Sequence, residues 1–321
     1  MNFKPIIITT GDLKSIFFEI FFKSIKKKIQ SPIILICNLK DFLKQAKKYS
    51  FKKKIFLIPK KNLNNELHYS KKFLNIINID LDAHLNQRSL TNLERFYIQE
   101  SFKIAFKLIK KGLTNKFING PINKKKFLNK KNLGITEYIS KKFKVKNSAM
   151  LIFNQNLSVS PLTTHTPIRI VSRKIKKKYI EKQIKFINDF YAKLLKIKPK
   201  IAVTGLNPHC ETILNFDEDK KEVLPAILKM KKKKINVNGP LSADTIFLKN
   251  NRKKYNVIIG MYHDQVLGPF KSLFEYNAIN ITIGLPFFRV SPDHGPNIEM
   301  IGKNKSNPQS LINAINFLDK I

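Results

Sequence analysis

An α/β fold built on parallel sheets is what this sequence predicts, and three observations carry that prediction. Short apolar runs such as Pro5–Thr10, Pro32–Cys37 and Val257–Met261 have no polar alternation, as strands buried on both faces require. Segments of helical apolar spacing alternate with those runs along the chain. Several runs also stop in knots of ionisable residues, the pattern expected where a parallel sheet presents its carboxyl edge to a ligand. The densest knots lie between residues 255 and 302. There Val257–Met261 leads into Tyr262-His263-Asp264-Gln265, and Ala278–Ile283 breaks at Gly284 and Pro286 before Arg289, Asp293 and His294.

Taken in order, Pro5–Thr10 is a first strand ending at Gly11-Asp12, and Ser15–Lys28 has helical spacing. Pro32–Cys37, Lys54–Ile58 and Asn75–Ile79 are further strands, with a short helix over Leu39–Lys48. Thr91-Asn92-Leu93-Glu94 has the form of a capping box opening a helix to about Lys111. Lys116–Asn119 is a strand that ends at Gly120-Pro121 and the polar Ile122-Asn123-Lys124. Ala149–Phe153 and Leu157–Leu162 read as paired strands, the second ending in Thr163-Thr164-His165. A long basic helix is expected over Lys174–Ile197, with Pro199 as its stop. Ile201–Thr204 is a strand ending in Gly205-Leu206-Asn207-Pro208-His209, and Glu218–Met230 a helix before the Lys231–Lys234 run. Asn307-Pro308 opens a terminal helix to about Lys320. No internal repeat, linker or low-complexity segment appears.

Composition narrows the function. A chain of 321 residues, 43% of them hydrophobic, suffices for one large or two medium domains. No apolar run approaches the roughly 20 residues a bilayer span needs, and the amino terminus lacks the order of a signal peptide. Two cysteines, Cys37 and Cys210, are too few for a disulfide framework, so a cytoplasmic protein without membrane contact is expected. The net charge of +39 raises nucleic-acid binding. Its lysines, however, are spread along the whole chain and are inflated together with Asn, Ile and Phe, as an AT-rich genome would write them. No recognition helix, zinc finger or aromatic RNA-binding signature accompanies them, so no specific nucleic-acid partner is expected. A positive surface still favours anionic substrates such as phosphates.

Three of the six histidines, His165, His209 and His263, each stand just past an apolar strand. Such positions converge on one edge of a parallel sheet, and three neutral imidazoles suit a borderline divalent cation. A hydrogen-bonded loop histidine is the plain alternative at each position, and the residues alone leave both open. His68 and His84 lack the context and read as surface residues, while His294 suits either a ligand contact or a turn. Arg289, Lys271 and Lys124 are anion-binding candidates. Arg289 leads, because arginine is less inflated here and its fork takes phosphate or carboxylate in two bonds. No GxGxxG and no Walker loop occur.

The motifs Thr163-Thr164-His165-Thr166-Pro167, Gly205-Leu206-Asn207-Pro208-His209, Gly239-Pro240 with Ala243-Asp244-Thr245, Met261-Tyr262-His263-Asp264-Gln265, Gly284-Leu285-Pro286-Phe287 and Ser291-Pro292-Asp293-His294-Gly295 stand in an order that resembles the 4-hydroxythreonine-4-phosphate dehydrogenase family of pyridoxal phosphate biosynthesis. The resemblance runs from Thr9 to the terminal helix and is dense after Phe117. It implies two α/β/α domains with a cleft between them, similar to isocitrate and isopropylmalate dehydrogenases. One domain would comprise residues 1–130 and about 275–321, and the other, with the dimer interface and metal ligands, about 131–274. It also implies a homodimer with composite active sites, NAD or NADP as cofactor, and a divalent metal (zinc, magnesium or cobalt). The metal is held by His165, His209 and His263, the third donated across the interface. A small phosphorylated substrate would be contacted by Thr136, Lys271, Asn280 and Arg289. Catalytic roles fall on Asp244, Asp264 and Lys271, and cofactor contacts on Asp293, His294 and Gly295. The expected activity is oxidation of 4-phosphohydroxy-L-threonine to a 3-keto acid that decarboxylates to 3-amino-2-oxopropyl phosphate. The rivals are a related substrate such as a threonate phosphate, and a non-catalytic relative. The chain departs from the family at Gly134-Ile135-Thr136-Glu137, where Ile135 replaces a histidine. It departs again at the glycine-poor turn Gly11-Asp12-Leu13-Lys14-Ser15, and where Cys210-Glu211-Thr212-Ile213-Leu214-Asn215-Phe216 replaces a glycine-rich loop.

Overall fold

The computed structural model describes residues 3–26, 28–64, 67–82, 89–128, 134–213 and 217–321. The chain divides into two compact units, Met1–Tyr138 with Pro286–Ile321, and Ile139–Leu285. His84, read above as a surface residue, and Leu214 to Phe216 lie outside the described residues, whereas His68 is exposed. No helix among the described residues is long and apolar enough to cross a membrane.

The first unit carries strands β1 (Ile6–Thr9), β2 (Ile33–Cys37), β3 (Ile55–Leu57), β4 (Leu74–Asn78), β5 (Lys116–Asn119) and, late in the chain, β12 (Phe288–Pro292). Their order is β3-β4-β2-β1-β5-β12, and every neighbouring pair is parallel. Helices α1 (Phe17–Ser24), α2 (Leu39–Lys48), α3 (Leu90–Lys110) and α11 (Gln309–Asp319) belong to it. Ile6, Ile7 and Ile8 are all fully buried, which is why β1 shows no alternation. Phenylalanine fills this core: Phe17, Phe21, Phe22, Phe42 and Phe51 pack ring to ring where α1 meets α2. The capping box is placed differently from the sequence reading, for Ser89 is the N-cap of α3 and Thr91 lies inside the helix.

The second unit carries β6 (Ala149–Phe153), β7 (Ser158–Thr163), β8 (Ile201–Thr204), β9 (Val237–Leu241), β10 (Val257–Tyr262) and β11 (Ile279–Ile283) in the order β11-β6-β7-β10-β8-β9. β6 is antiparallel to both its neighbours, and the run β7-β10-β8-β9 is parallel. The long basic helix is broken at Ile175: a short turn over Val171–Lys174 precedes Lys177–Phe190, and a wider π turn over Tyr191–Leu195 ends it. Two elements escape the sequence reading. Tyr262-His263-Asp264-Gln265 is not a loop, because His263 opens a helix, α10 (His263–Phe274). It contains Gly268 and Pro269, and buried Val266, Leu267 and Phe270 seat it in a cluster with Val159, Ala202 and Ile258. Arg289, read as lying in the turn after a strand, is itself inside β12.

Candidate active site

β7, β10 and β8 are parallel neighbours, so the residues after their carboxyl ends are delivered side by side. His165 follows β7, His263 follows β10, and His209 sits beyond β8 in a tight turn over Pro208–Cys210. The His165 and His263 rings lie 6.3 Å apart between centroids, and Thr164, Thr166, Tyr262 and Asp264 line the same pocket. Thr163 locks the two strand ends by donating its hydroxyl to Met261 O at 2.8 Å. Nδ1 of His263 meets Asp264 Oδ1 at 2.7 Å, a pairing that orients the ring and leaves Nε2 outside that contact. His209 is not among the residues lining that pocket. It is exposed, has φ of 55°, and lies within electrostatic reach of Asp244. The Ser242 hydroxyl, and secondarily the His209 ring, hold the Asp244 carboxyl below the usual range. Among the described residues, no three metal-binding side chains of one chain gather at ligand spacing. The donor set nonetheless fits a borderline divalent cation: two imidazoles share a pocket and one is buttressed by a carboxylate, with the third donor to come from beyond that pocket.

Lys271 stands in the last turn of α10 and Asn280 in β11, opposite Ile152 of β6. The Asn280 amide nitrogen reaches Met150 Sδ at 3.6 Å, while its Oδ1 is buried without a hydrogen-bond partner. A buried amide oxygen left unsatisfied costs stability and is the sort of acceptor that a ligand donor completes.

The first unit holds a second cluster. Arg289 is buried at 3% exposure, and its Nε donates to Asn119 Oδ1 at 2.7 Å across the β12–β5 pair. Burial pulls this guanidinium down to about 10, against the opposing pull of Glu137. Lys124 opens a short helix, α4 (Lys124–Leu128), and its ammonium is lowered by burial and by Arg289, while Glu137 and Asp293 raise it. Thr136 and Glu137 lie in the first turn of α5 (Ile135–Lys142), and Glu137 Oε2 is buried without a hydrogen-bond partner. Ile135 is buried at 6% exposure. After β12, Asp293 N–H donates to Ser310 Oγ at 2.9 Å and His294 Nδ1 meets Gly295 O at 3.0 Å, a contact in which the ring nitrogen is the donor.

A backbone crossing sets the position of Lys124. Asp12 N–H donates to Pro121 O at 2.9 Å, and Asp12 Oδ2 accepts the Asn123 N–H at 2.8 Å. Gly120 is required there, since a Cβ would lie 2.2 Å from Thr10 O. Sequence reasoning passed over Glu137 and Asn119 as site residues, while Lys124 stood among its anion-binding candidates. The Gly134-Ile135-Thr136-Glu137 motif, altered only at Ile135, held a signal for Glu137. Asn119 had none, because its role exists only through the β12–β5 pairing.

Fold and site together define an α/β enzyme class, one whose ionisable groups gather beyond the carboxyl ends of parallel strands. Residues 28–318 match the family model of the pyridoxal phosphate biosynthetic protein PdxA. The chain is 33% identical to a 4-hydroxythreonine-4-phosphate dehydrogenase of Sulfurihydrogenibium sp. (strain YO3AOP1), over 96% of this chain and 95% of that protein. It is also 33% identical to a D-threonate 4-phosphate dehydrogenase of Pectobacterium atrosepticum, over 66% of this chain and 68% of that one. The crystal structure of 4-hydroxythreonine-4-phosphate dehydrogenase from Klebsiella pneumoniae superposes with a TM-score of 0.81 at 27% identity, covering 98% of this chain and 97% of the other. The chain belongs to the PdxA family of dehydrogenases. Dehydrogenases of this kind imply a nicotinamide cofactor.

Proposed function

We propose that the chain oxidises 4-phosphohydroxy-L-threonine with NAD in a divalent-metal-dependent reaction. The product is a 3-keto acid that loses carbon dioxide to give 3-amino-2-oxopropyl phosphate, within vitamin B6 biosynthesis. The observation that carries this reading is the pairing of His165 with His263 beyond adjacent strands, with Asp264 behind the second ring. His165, His209 and His263 are the residues that would hold the metal, and Asp293, His294 and Gly295 those that would meet NAD. Lewis acidity at the substrate oxygen and a hydride acceptor are what those two groups supply when bound. The chain's own side chains do the remaining work. Asp264 keeps the His263 ring in one tautomer, and Asp244, held ionised, accepts the hydroxyl proton. Lys271, Asn280 and Thr136 contact the substrate. Arg289, fixed through its Nε by Asn119, takes a substrate anion.

The second reading is D-threonate 4-phosphate as substrate, favoured by the Pectobacterium relative and by Ile135 in place of the family histidine. A direct assay separates the two. Metal-free protein is given NAD, one of zinc, magnesium or cobalt, and each substrate in turn, and reduced cofactor and released carbon dioxide are measured. The first reading expects both products from 4-phosphohydroxy-L-threonine. A tenfold or greater kcat/KM on D-threonate 4-phosphate transfers the assignment to the second, and no turnover on either sinks both.

A further inference from the structure

Gln265 has no part in the chemistry above, yet its amide spends three hydrogen bonds at one place. Oε1 accepts the Met261 N–H at 2.7 Å and the Thr204 hydroxyl at 2.8 Å, and Nε2 donates to Gly205 O at 2.8 Å. The partners dictate the amide's orientation, since a backbone N–H needs the oxygen and a backbone carbonyl needs the nitrogen. Met261 lies two residues before His263, and Thr204 ends the strand, and Gly205 opens the loop, that leads to His209. The backbone ladder between β10 and β8 stops at Ile259 and Val203. Gln265 takes over as the bridge where that ladder ends. Gly260 makes room for it, for a Cβ there would lie 2.4 Å from Val266 and 3.1 Å from Gln265 Oε1.

The far side of the same loop is held as well. Asp219, 1% exposed, accepts the Leu206 N–H at 2.7 Å and the Asn207 N–H at 2.9 Å. Gly205, Leu206 and Asn207 are thus gripped on consecutive peptides, just before His209 and Cys210 adopt φ of 55° and 64°. Two successive left-handed residues with side chains persist only where the surroundings over-determine them. A glutamine at the third position of a helix can also serve its own helix by reaching back to the N-terminal N–H groups. That role would need the Met261 bond alone. The bonds to Thr204 and Gly205 cross to another strand.

We infer that Gln265 is a positioning residue, which sets the His209 loop against the start of α10 and so fixes where each chain presents His209 and where it presents His263 to a metal, whether the two serve one site or two. The inference rests on the reading of those histidines as metal ligands. Gln265→Glu tests it, because the carboxylate keeps acceptors for Met261 and Thr204 and suits a helix N-terminus, losing only the donor to Gly205. Cobalt(II) is titrated into metal-free protein and followed by its visible absorption bands, with thermal unfolding recorded alongside. The expected result is a roughly tenfold weaker cobalt affinity in a variant that still folds, at the low end of what loss of an outer-shell partner costs. Unchanged affinity in folded Gln265→Glu overturns the inference and leaves the metal reading standing. A wild-type protein that takes up no cobalt overturns both. Should Gln265→Glu fail to fold, Thr204→Val, which removes one bond and keeps the volume, is expected to weaken cobalt binding by a smaller factor, and equal affinity there overturns the inference too.

Discussion

Ile135 stands where the family resemblance leads one to expect a histidine, and its burial changes what that difference means. At 6% exposure in the first turn of α5, the side chain belongs to the packed interior. Restoring a histidine would bury a polar ring among groups arranged for an aliphatic one, at a stability cost of about 1–3 kcal/mol. Losing a hydrogen bond to a charged ligand group also costs about 1.5–3 kcal/mol, so the two effects are comparable. Thr136 and Glu137 stand beside it, and Lys124 and Arg289 are within electrostatic reach of Glu137. The expectation is that Ile135→His lowers the unfolding midpoint and changes kcat/KM on 4-phosphohydroxy-L-threonine by less than tenfold. Steady-state kinetics with a denaturation curve checks it, and a tenfold gain in the variant would show that nothing compensates for the missing ring.

Helix α1 illustrates how an element is tied in by one carboxylate. Glu19, 2% exposed, accepts from Lys23 Nζ at 2.8 Å, Ser306 N at 2.6 Å and Tyr49 OH at 3.2 Å. Burial is the largest single influence and pushes the carboxyl up, but the Lys23 and Ser306 bonds outweigh it and leave the group below its ordinary value of 4.5. The sign follows from linkage. A carboxyl lowered in the folded state contributes stability that is fully present above 4.5 and is lost as pH falls through the folded value. Glu19→Gln should therefore cost about 1.5–3 kcal/mol at neutral pH, the range for hydrogen bonds to charged groups. The gap between wild type and variant should close on acidification below 4.5. Urea unfolding at a series of pH values measures this, and a gap that stays constant down to the acid limit contradicts the role given to Glu19.

At the scale of the whole molecule, the pocket of one chain offers His165 and His263 but not His209. Beside it stands Ile168, 71% exposed, an apolar side chain at the pocket wall. A homodimer in which a second copy completes each site accounts for both features, and it is what the family resemblance implies. Subunit exchange shows which histidine crosses: His165→Ala with His209→Ala should recover part of the activity if the second copy donates His209, which the pocket of one chain lacks, and His165→Ala with His263→Ala should do so if it donates His263, as the resemblance implies. Ile168→Asp should shift the protein toward monomer in sedimentation velocity and lower activity with it. A fully active monomer would refute the composite site. The charge of +39 adds a background repulsion between copies, so association should strengthen with salt.

Some of this protein was settled by the sequence alone. Lys116–Asn119 and Ile201–Thr204 were legible to the residue, because each has an apolar centre, Phe117-Ile118 or Ile201-Ala202-Val203, and its end is marked by the glycine that follows. The placing of His165, His209 and His263 beyond strand ends was legible for the same reason. Tertiary structure decided which ends meet. Nothing local says that β10 lies between β7 and β8, since pairing partners are chosen by burial summed over residues far apart in the chain. The start of α10 at His263 was hidden behind Gly268 and Pro269, whose breaker signal yields to the burial of Val266, Leu267 and Phe270. β12 was hidden too, because a strand carrying a buried arginine looks like a loop until Asn119 is seen opposite Arg289. Periodicity records which face of an element is dry. Only the folded chain supplies the neighbour that makes a buried Arg289 or a bridging Gln265 satisfiable.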